Sequence, residues 1–337
     1  MTPRKRTAFV LSVLCLLAAL PWVANDYYTG LIVKIMIYGL FAMSLQLLVG
    51  GAGLVSLGHA AFFGAGAYAT ALLSPESASA NFFWLIPCVL LASTAYAAVT
   101  GALSLRTRGI YFIMITLAFA QMAYYVFHDT QFGGGSDGIY LYFRPEWRVG
   151  DWTLLNIDDP HTFYLFVLAT VASIWAFLSV LSRSRFGAAL TGIRINEQRM
   201  RAAGYSTFAY KFVAYLLAAA LAGIAGMLFA AKDGFVNPEL LNWEQSGLVL
   251  LMVILGGSGN LWGALLGAFG LIALEELFQS EAIFGGMANH WHLTFGLTII
   301  ALVAVMPKGL AGFMNKLGHR AQPGPASRSS LPHTPQP

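Results

Sequence analysis

The chain has 337 residues, of which 58% are hydrophobic and only 10% charged, with a mean hydropathy of +0.67. A soluble globular domain carries about 25% charged residues, so a soluble enzyme or nucleic-acid-binding module is excluded, and the formal charge of +4 is not a nucleic-acid footprint. The apolar runs approach the roughly 20 residues that a bilayer crossing needs and lack the short alternating pattern of a membrane barrel. The expected fold class is all-α: a polytopic helical membrane protein with about ten transmembrane segments.

In chain order, a basic cluster Arg4-Lys5-Arg6 precedes the apolar run Ala8–Ala24. No small-residue cleavage pattern follows it, so a retained first helix is expected. Further spans are expected at Leu31–Val49, Leu54–Leu73, Phe82–Leu105 and Ile110–Phe127. The polar stretch His128–His161 separates these from Phe163–Leu181. A basic stretch, Arg183–Lys211, leads into Phe212–Ala231. Ser246–Leu255 and Leu261–Leu274 flank a turn at Gly256–Asn260, and Leu293–Met306 is the last apolar run. Residues 1–317 read as one transmembrane domain, and the Pro/Ser-rich residues 318–337 as a disordered tail.

Basic residues near span ends set orientation. The N-terminal cluster, Arg106 and Arg108, and the Arg183–Lys211 loop fall on the cytoplasmic side, and residues 128–161 outside. If Ser246–Leu274 is a folded pair of segments, Lys308, Lys316, Arg320 and Arg328 are cytoplasmic and both termini lie inside. As a single crossing it would break the rule.

Close helix contacts in lipid need small residues. Gly50–Ala67, Ala218–Gly226 and Gly259–Gly270 are the densest such regions. Each reads as tight packing. The sharper reading of the first is a broken helix lining a path, with Gly58, His59, Phe62, Phe63 and Gly66 as the candidate substrate-pathway residues. His59 is expected to be a packed, hydrogen-bonded side chain, and Lys34 a snorkelling one.

No catalytic set is present. There is no Gly-Lys pair, so the chain has no phosphate-cradling lysine loop. Gly133–Gly138 reads as a turn. His290 and His292 bracket Trp291 without a third ligand at metal spacing, which favours an interface belt over zinc. Cys15 and Cys88 form no disulfide or metal framework. No metal and no cofactor are expected.

The basic loop supports two readings: an anchor for anionic membrane lipid, or a docking surface for a cytoplasmic partner. Gly192–Met200 is expected to form one short helix, with Ala202-Ala203 leading into Gly204 as its stop.

Four stretches carry a family resemblance: GLVSLGHAAFFGAGAYATALL (Gly53–Leu73), LRTRGIYFIMITLAFAQM (Leu105–Met122), RINEQRMRAAGYSTFAYKFVAYLLAAALAGIAG (Arg194–Gly226) and ILGGSGNLWGALLGA (Ile254–Ala268). With GGGSDGI at Gly133–Ile139, they make the chain similar to the LivM-type permease subunit of branched-chain amino acid ABC importers. The resemblance runs from about Leu31 to Pro307. It implies a subunit of the inner membrane that does no chemistry itself. Its implied partners are a second homologous permease, two cytoplasmic ATPases that bind the ATP, an extracytoplasmic substrate-binding protein and membrane lipid. In such permeases a loop docks a short helix on the ATPase. Here the resemblance places Arg194, Asn196, Glu197, Arg201, Ala203 and Gly204 in that role. Glu197 stands for the motif glutamate and Gly204 for its glycine, while Arg199 and Met200 replace the usual alanines. A related importer for urea or short amides is the alternative, and an ion-coupled carrier a more distant one, because the spans are nearly free of acids.

Overall fold

A computed structural model describes residues 12–149, 152–155, 157–257, 259–280, 284–285, 290–306, 309–310 and 312. Arg4–Arg6, Glu281, Lys308, Lys316, Arg320, Arg328 and the tail 318–337 lie outside the described residues.

Among the described residues, ten apolar helices follow the predicted order, six long enough to cross a bilayer and four shorter. We label them, with the two loop helices, α1 (Ser12–Trp22), α2 (Asp26–Gln46), α3 (His59–Leu73), α4 (Phe82–Ser104), α5 (Ile110–Asp129), α6 (Pro160–Arg183), α7 (Arg185–Ile195), α8 (Glu197–Ala202), α9 (Thr207–Asp233), α10 (Trp243–Gly256), α11 (Leu261–Gln279) and α12 (Trp291–Val305). Continuous apolar sequence makes helices here because hydrocarbon offers the backbone no partner except itself. Polar residues set several starts. The side chains of Asn81, Asp159 and Asn260 accept from the N–H groups of Phe83, Thr162 and Trp262. Gly234, at φ +67°, ends α9.

The helices α2 and α9 are the inner ones. Their central stretches are 78% and 67% buried, against 17% for α5. Short α3 packs on α9 through glycine and meets α2 through aromatic rings such as Phe41 and Phe63. A Cβ at Gly66 would sit 2.2 Å from the Gly223 carbonyl oxygen, and one at Gly226 would sit 1.9 Å from that of Phe63. The same device joins α10 to α11, where Gly263 meets the Gly256 carbonyl and Gly267 abuts that of Met252. Ser246–Leu274 is therefore a folded pair, turned at Gly257 and Gly259, both at positive φ.

The two ends of the bundle differ. One carries four short strands: β1 (Ile139–Tyr140) pairs antiparallel with β4 (Phe235–Val236), and β2 (Trp147–Val149) with β3 (Trp152–Leu155). The other carries α7 and α8 with the α4–α5 turn. We call these the strand end and the loop end.

Two expectations are corrected. The third span begins at His59, not Leu54, because α2 runs into a π-helical turn, Leu47–Ala52, and Gly53 leaves it at φ +71°. The loop helix is two helices, because Asn196 takes an extended backbone (φ −155°, ψ 97°) between them. Lys34, part-exposed as a snorkelling side chain is, has its Nζ 3.8 Å from Glu275 Oε1, and neighbouring Glu276 accepts from the Tyr27 hydroxyl.

Candidate functional site

The loop-end site is built from the Ser184 cap upward. Ser184 accepts from the Gly187 N–H and starts α7, whose buried face is Gly187, Ala189, Leu190 and Ile193. Asn196 then breaks the chain and caps α8, its side-chain oxygen accepting from the Arg199 N–H at 2.9 Å. The C-terminal end of α8 closes by a Schellman motif. The Gly204 N–H donates to Arg201 O and the Tyr205 N–H to Met200 O, with Gly204 at φ +86°. The Gly204 stop expected from sequence is present.

Glu197 is the hub. Its carboxylate accepts from Arg201 (2.7 Å), Lys211 (2.8 Å) and the Thr207 hydroxyl (3.1 Å), and Arg108 Nε stands 3.9 Å away. Burial alone would raise this carboxyl. The Lys211 hydrogen bond and charge, with the bonds from Thr207 and Arg201, outweigh it and hold the group at about 2. One acid thus ties α8, the first turns of α9 and the α4–α5 turn together. Met200 fills a gap that only glycine leaves: a Cβ at Gly192 would lie 2.8 Å from its sulfur. The Arg199-Met200 departure is accommodated, with Arg199 pointing to solvent.

Of the sequence candidates, Glu197 and Arg201 come together, and Asn196, Ala203 and Gly204 frame α8 on an open surface. Ile195, 74% exposed, is an unpartnered apolar side chain in that surface. Arg194 turns the other way. Its guanidinium donates to the carbonyl of Gly50, inside the π-turn, and its Cγ abuts Gly53. Beneath it, a cavity of about 310 Å³ is lined by Gln46, Gly50, Leu190, Thr191 and Arg194. With its amide oxygen facing donors, Gln46 accepts from the backbone N–H groups of Gly259 and Asn260. Hence Arg194 connects the loop to the break in α2, and Gln46 connects that break to the α10–α11 turn.

The pathway candidates lie in the bundle's interior. A Cβ at Gly58 would meet the Thr116 carbonyl oxygen at 2.4 Å. His59 is fully buried, shares a 2.8 Å hydrogen bond with Ser44 and stacks on Phe41. Phe62 meets Tyr96 and Tyr215 edge-on, and Phe63 stacks on Phe41 at 4.5 Å. Gly66 abuts Gly223. A cavity of about 790 Å³ on another face of α3 is lined by Ala61, Ala65, Tyr68, Tyr96 and Phe119, and none of the five candidates lines it. Sequence reasoning did not find Lys211, Thr207, Arg108 or Gln46 as site residues. Only Lys211 left a signal, as the single lysine of the basic stretch.

Comparisons with known proteins identify the family. Residues 27–304 match the family described as branched-chain amino acid transport system, permease component. The chain is 30% identical over 325 residues to the high-affinity branched-chain amino acid transport system permease protein LivM of Salmonella typhimurium, covering 91% of this chain and 75% of that one. The LivM protein of Escherichia coli K12 matches with the same figures. The autoinducer 2 import system permease protein LsrC of Escherichia coli O9:H4 is 28% identical over 156 residues, covering 42% of this chain and 46% of that one. No solved structure matches. The family match over residues 27–304, together with 30% identity to LivM over 91% of the chain, shows that the chain belongs to the branched-chain amino acid transport permease family and is a multi-pass, inner-membrane permease subunit of an ABC importer.

Proposed function

We propose that this subunit, with a second homologous permease, forms the pathway for leucine, isoleucine, valine or a similar hydrophobic amino acid. An extracytoplasmic binding protein delivers solute at the strand end. Two ATPases, which bind the ATP, dock at the loop end on the Arg194–Gly204 segment. The chain itself does no chemistry, and both termini and the 183–211 loop are cytoplasmic. Driving a two-state gate from 1:99 to 99:1 takes about 5.5 kcal/mol, which the docked ATPases supply. Within the loop, Glu197, Asn196, Arg201 and Gly204 give α8 its shape, Ala203 belongs to its open face, and Arg194 passes its displacement inward. The residues Gly58, His59, Phe62, Phe63 and Gly66 serve the pathway as its packed wall.

The observation that carries this reading is the Glu197 hub: an ordered, open-faced helix tied by Arg194 to a broken membrane helix. The test is uptake into vesicles holding the assembled complex, with ion gradients collapsed. Uptake of radiolabelled leucine that requires ATP is expected. Uptake that persists without ATP and follows an ion gradient would contradict the proposal, and ATP-driven uptake of urea or an amide with leucine excluded would replace its substrate.

A further inference from the structure

A second polar site sits away from the loop, between α5 and the segment that opens α10. Its depth follows from α5. That helix has 20 residues, so it spans about 30 Å, the thickness of a hydrocarbon core. Gln121 lies eight residues before its strand-end terminus, about 12 Å along the axis, and so near the middle. From there Gln121 donates to the Asn242 side-chain oxygen (3.1 Å). Asn242 donates to Glu239 Oε2 (3.2 Å), and the Tyr124 hydroxyl donates to Glu239 Oε1 (3.2 Å). A second measure of depth agrees. Leu241 packs against Gly64, the sixth residue of α3, and the Ala60 N–H donates to Ser246 at 2.8 Å. After β4 the chain therefore turns back into the bundle, and α10 begins well below the strand end.

These polar groups are not hidden. Glu239 and Glu244 are exposed, beside Trp243 (42%) and Tyr125 (54%). Ionisable side chains at this depth face a bundle interior or a water-filled cavity, because hydrocarbon gives them no partner. In this subunit they face outward, so lipid is not what covers them. Among the described residues, no Lys or Arg pairs with Glu239 or Glu244. The donors that Glu239 does have, Tyr124 and Asn242, are neutral. In the next turn, Gln245 Oε1 is shielded and has no hydrogen-bond partner.

We infer that this α5–α10 face lines the solute pathway and that Glu239 receives the ammonium group of a zwitterionic amino acid, with Trp243 and Tyr125 beside its aliphatic part. The solute's ammonium supplies the opposite charge that Glu239 lacks only while solute passes, which suits a site that must also release. Gln121, Tyr124 and Asn242 are positioning residues that hold the carboxylate. The packed wall from Gly58 to Gly66 stands directly behind, through the Ala60–Ser246 bond. The inference rests on the permease reading above and adds to it the lining face and the residue that meets solute.

The test uses the full complex with its ATPases and binding protein, with Cys15 and Cys88 replaced. Tyr125→Cys and Trp243→Cys are each exposed to methanethiosulfonate ethylammonium, a water-soluble reagent that reacts with ionised thiols, and Leu91→Cys, 70% exposed on α4, serves as the control. Both pathway cysteines should react at least 10-fold faster than the control. In parallel, Glu239→Gln should cut the maximal leucine uptake rate by about 10-fold or more while leaving KM, which the binding protein sets, unchanged. Glu239→Asp should retain an intermediate rate. ATPase co-purification shows that the variants fold. Cysteines no more reactive than the control, or a Glu239→Gln complex with wild-type uptake, would overturn the inference. Reactive cysteines in a wild-type complex that carries no amino acid would support the lining and fail the proposed substrate instead.

Discussion

Replacing Glu197 with glutamine keeps the shape of the hub and removes its charge. In the wild-type loop the carboxyl is held at about 2, against an ordinary 4.5. That difference corresponds to at most roughly 3 kcal/mol, and the loop's access to solvent screens it to about 1–2 kcal/mol. The variant also leaves Lys211, whose side chain is only 11% exposed, without its anion. The loop should then open about 5–30-fold more readily. Hydrogen exchange at the amides that close α8, Ala203, Gly204 and Tyr205, reads this directly. Since the folded-state value is depressed, the charge contributes its full stability above pH 4.5 and loses it progressively as pH falls from 4.5 toward 2. After correction for intrinsic rates, wild-type exchange should accelerate over that interval, whereas the glutamine variant should not. If Glu197→Gln and Lys211→Met both leave exchange within twofold of wild type, Glu197 does not order the loop.

Two further outcomes follow from the packing and the linkage. Gly226→Ala forces a methyl onto the Phe63 carbonyl and should destabilise the bundle by about 3 kcal/mol, seen as a lower thermal midpoint in detergent. Gly247→Ala, with open space around it, should not. Arg194→Met removes the donor to Gly50 but leaves the open face of α8 intact, so the ATPase should still co-purify and hydrolyse ATP while leucine uptake falls about 10-fold or more. Equal loss of uptake and ATPase binding would show that Arg194 belongs to the docking surface itself.

The spans were legible because bilayer thickness and backbone self-satisfaction act on composition alone, and the helix stop at Gly204 because a left-handed turn needs glycine. What sequence left obscure depends on distance along the chain. Lys34 reads as a lone snorkelling charge until Glu275, 241 residues away, is folded beside it. Glu197 carries no mark of Arg108, which comes from another turn. Asn196 fits a helical pattern, and only its extended backbone turns it into a break and a cap. Polar residues at Glu239–Gln245 look like the end of a loop, since nothing local says that the chain has already re-entered the bundle. The glycines in and just before α3 stand out in the sequence, but composition cannot tell a helix contact from a lining surface, and here Gly58 and Gly66 are contacts.

The central claim is that force from ATP enters at α8. Photo-crosslinking places it most directly. A benzoylphenylalanine at Gln198 or Arg199, both exposed on α8, should crosslink to the ATPase subunit in the assembled complex, with a yield that changes between nucleotide-free and ATP-bound states. The same probe at Trp152, exposed at the strand end, should give no ATPase adduct. An ATPase adduct at Trp152, or none at either α8 position in a complex that hydrolyses ATP, would contradict the account.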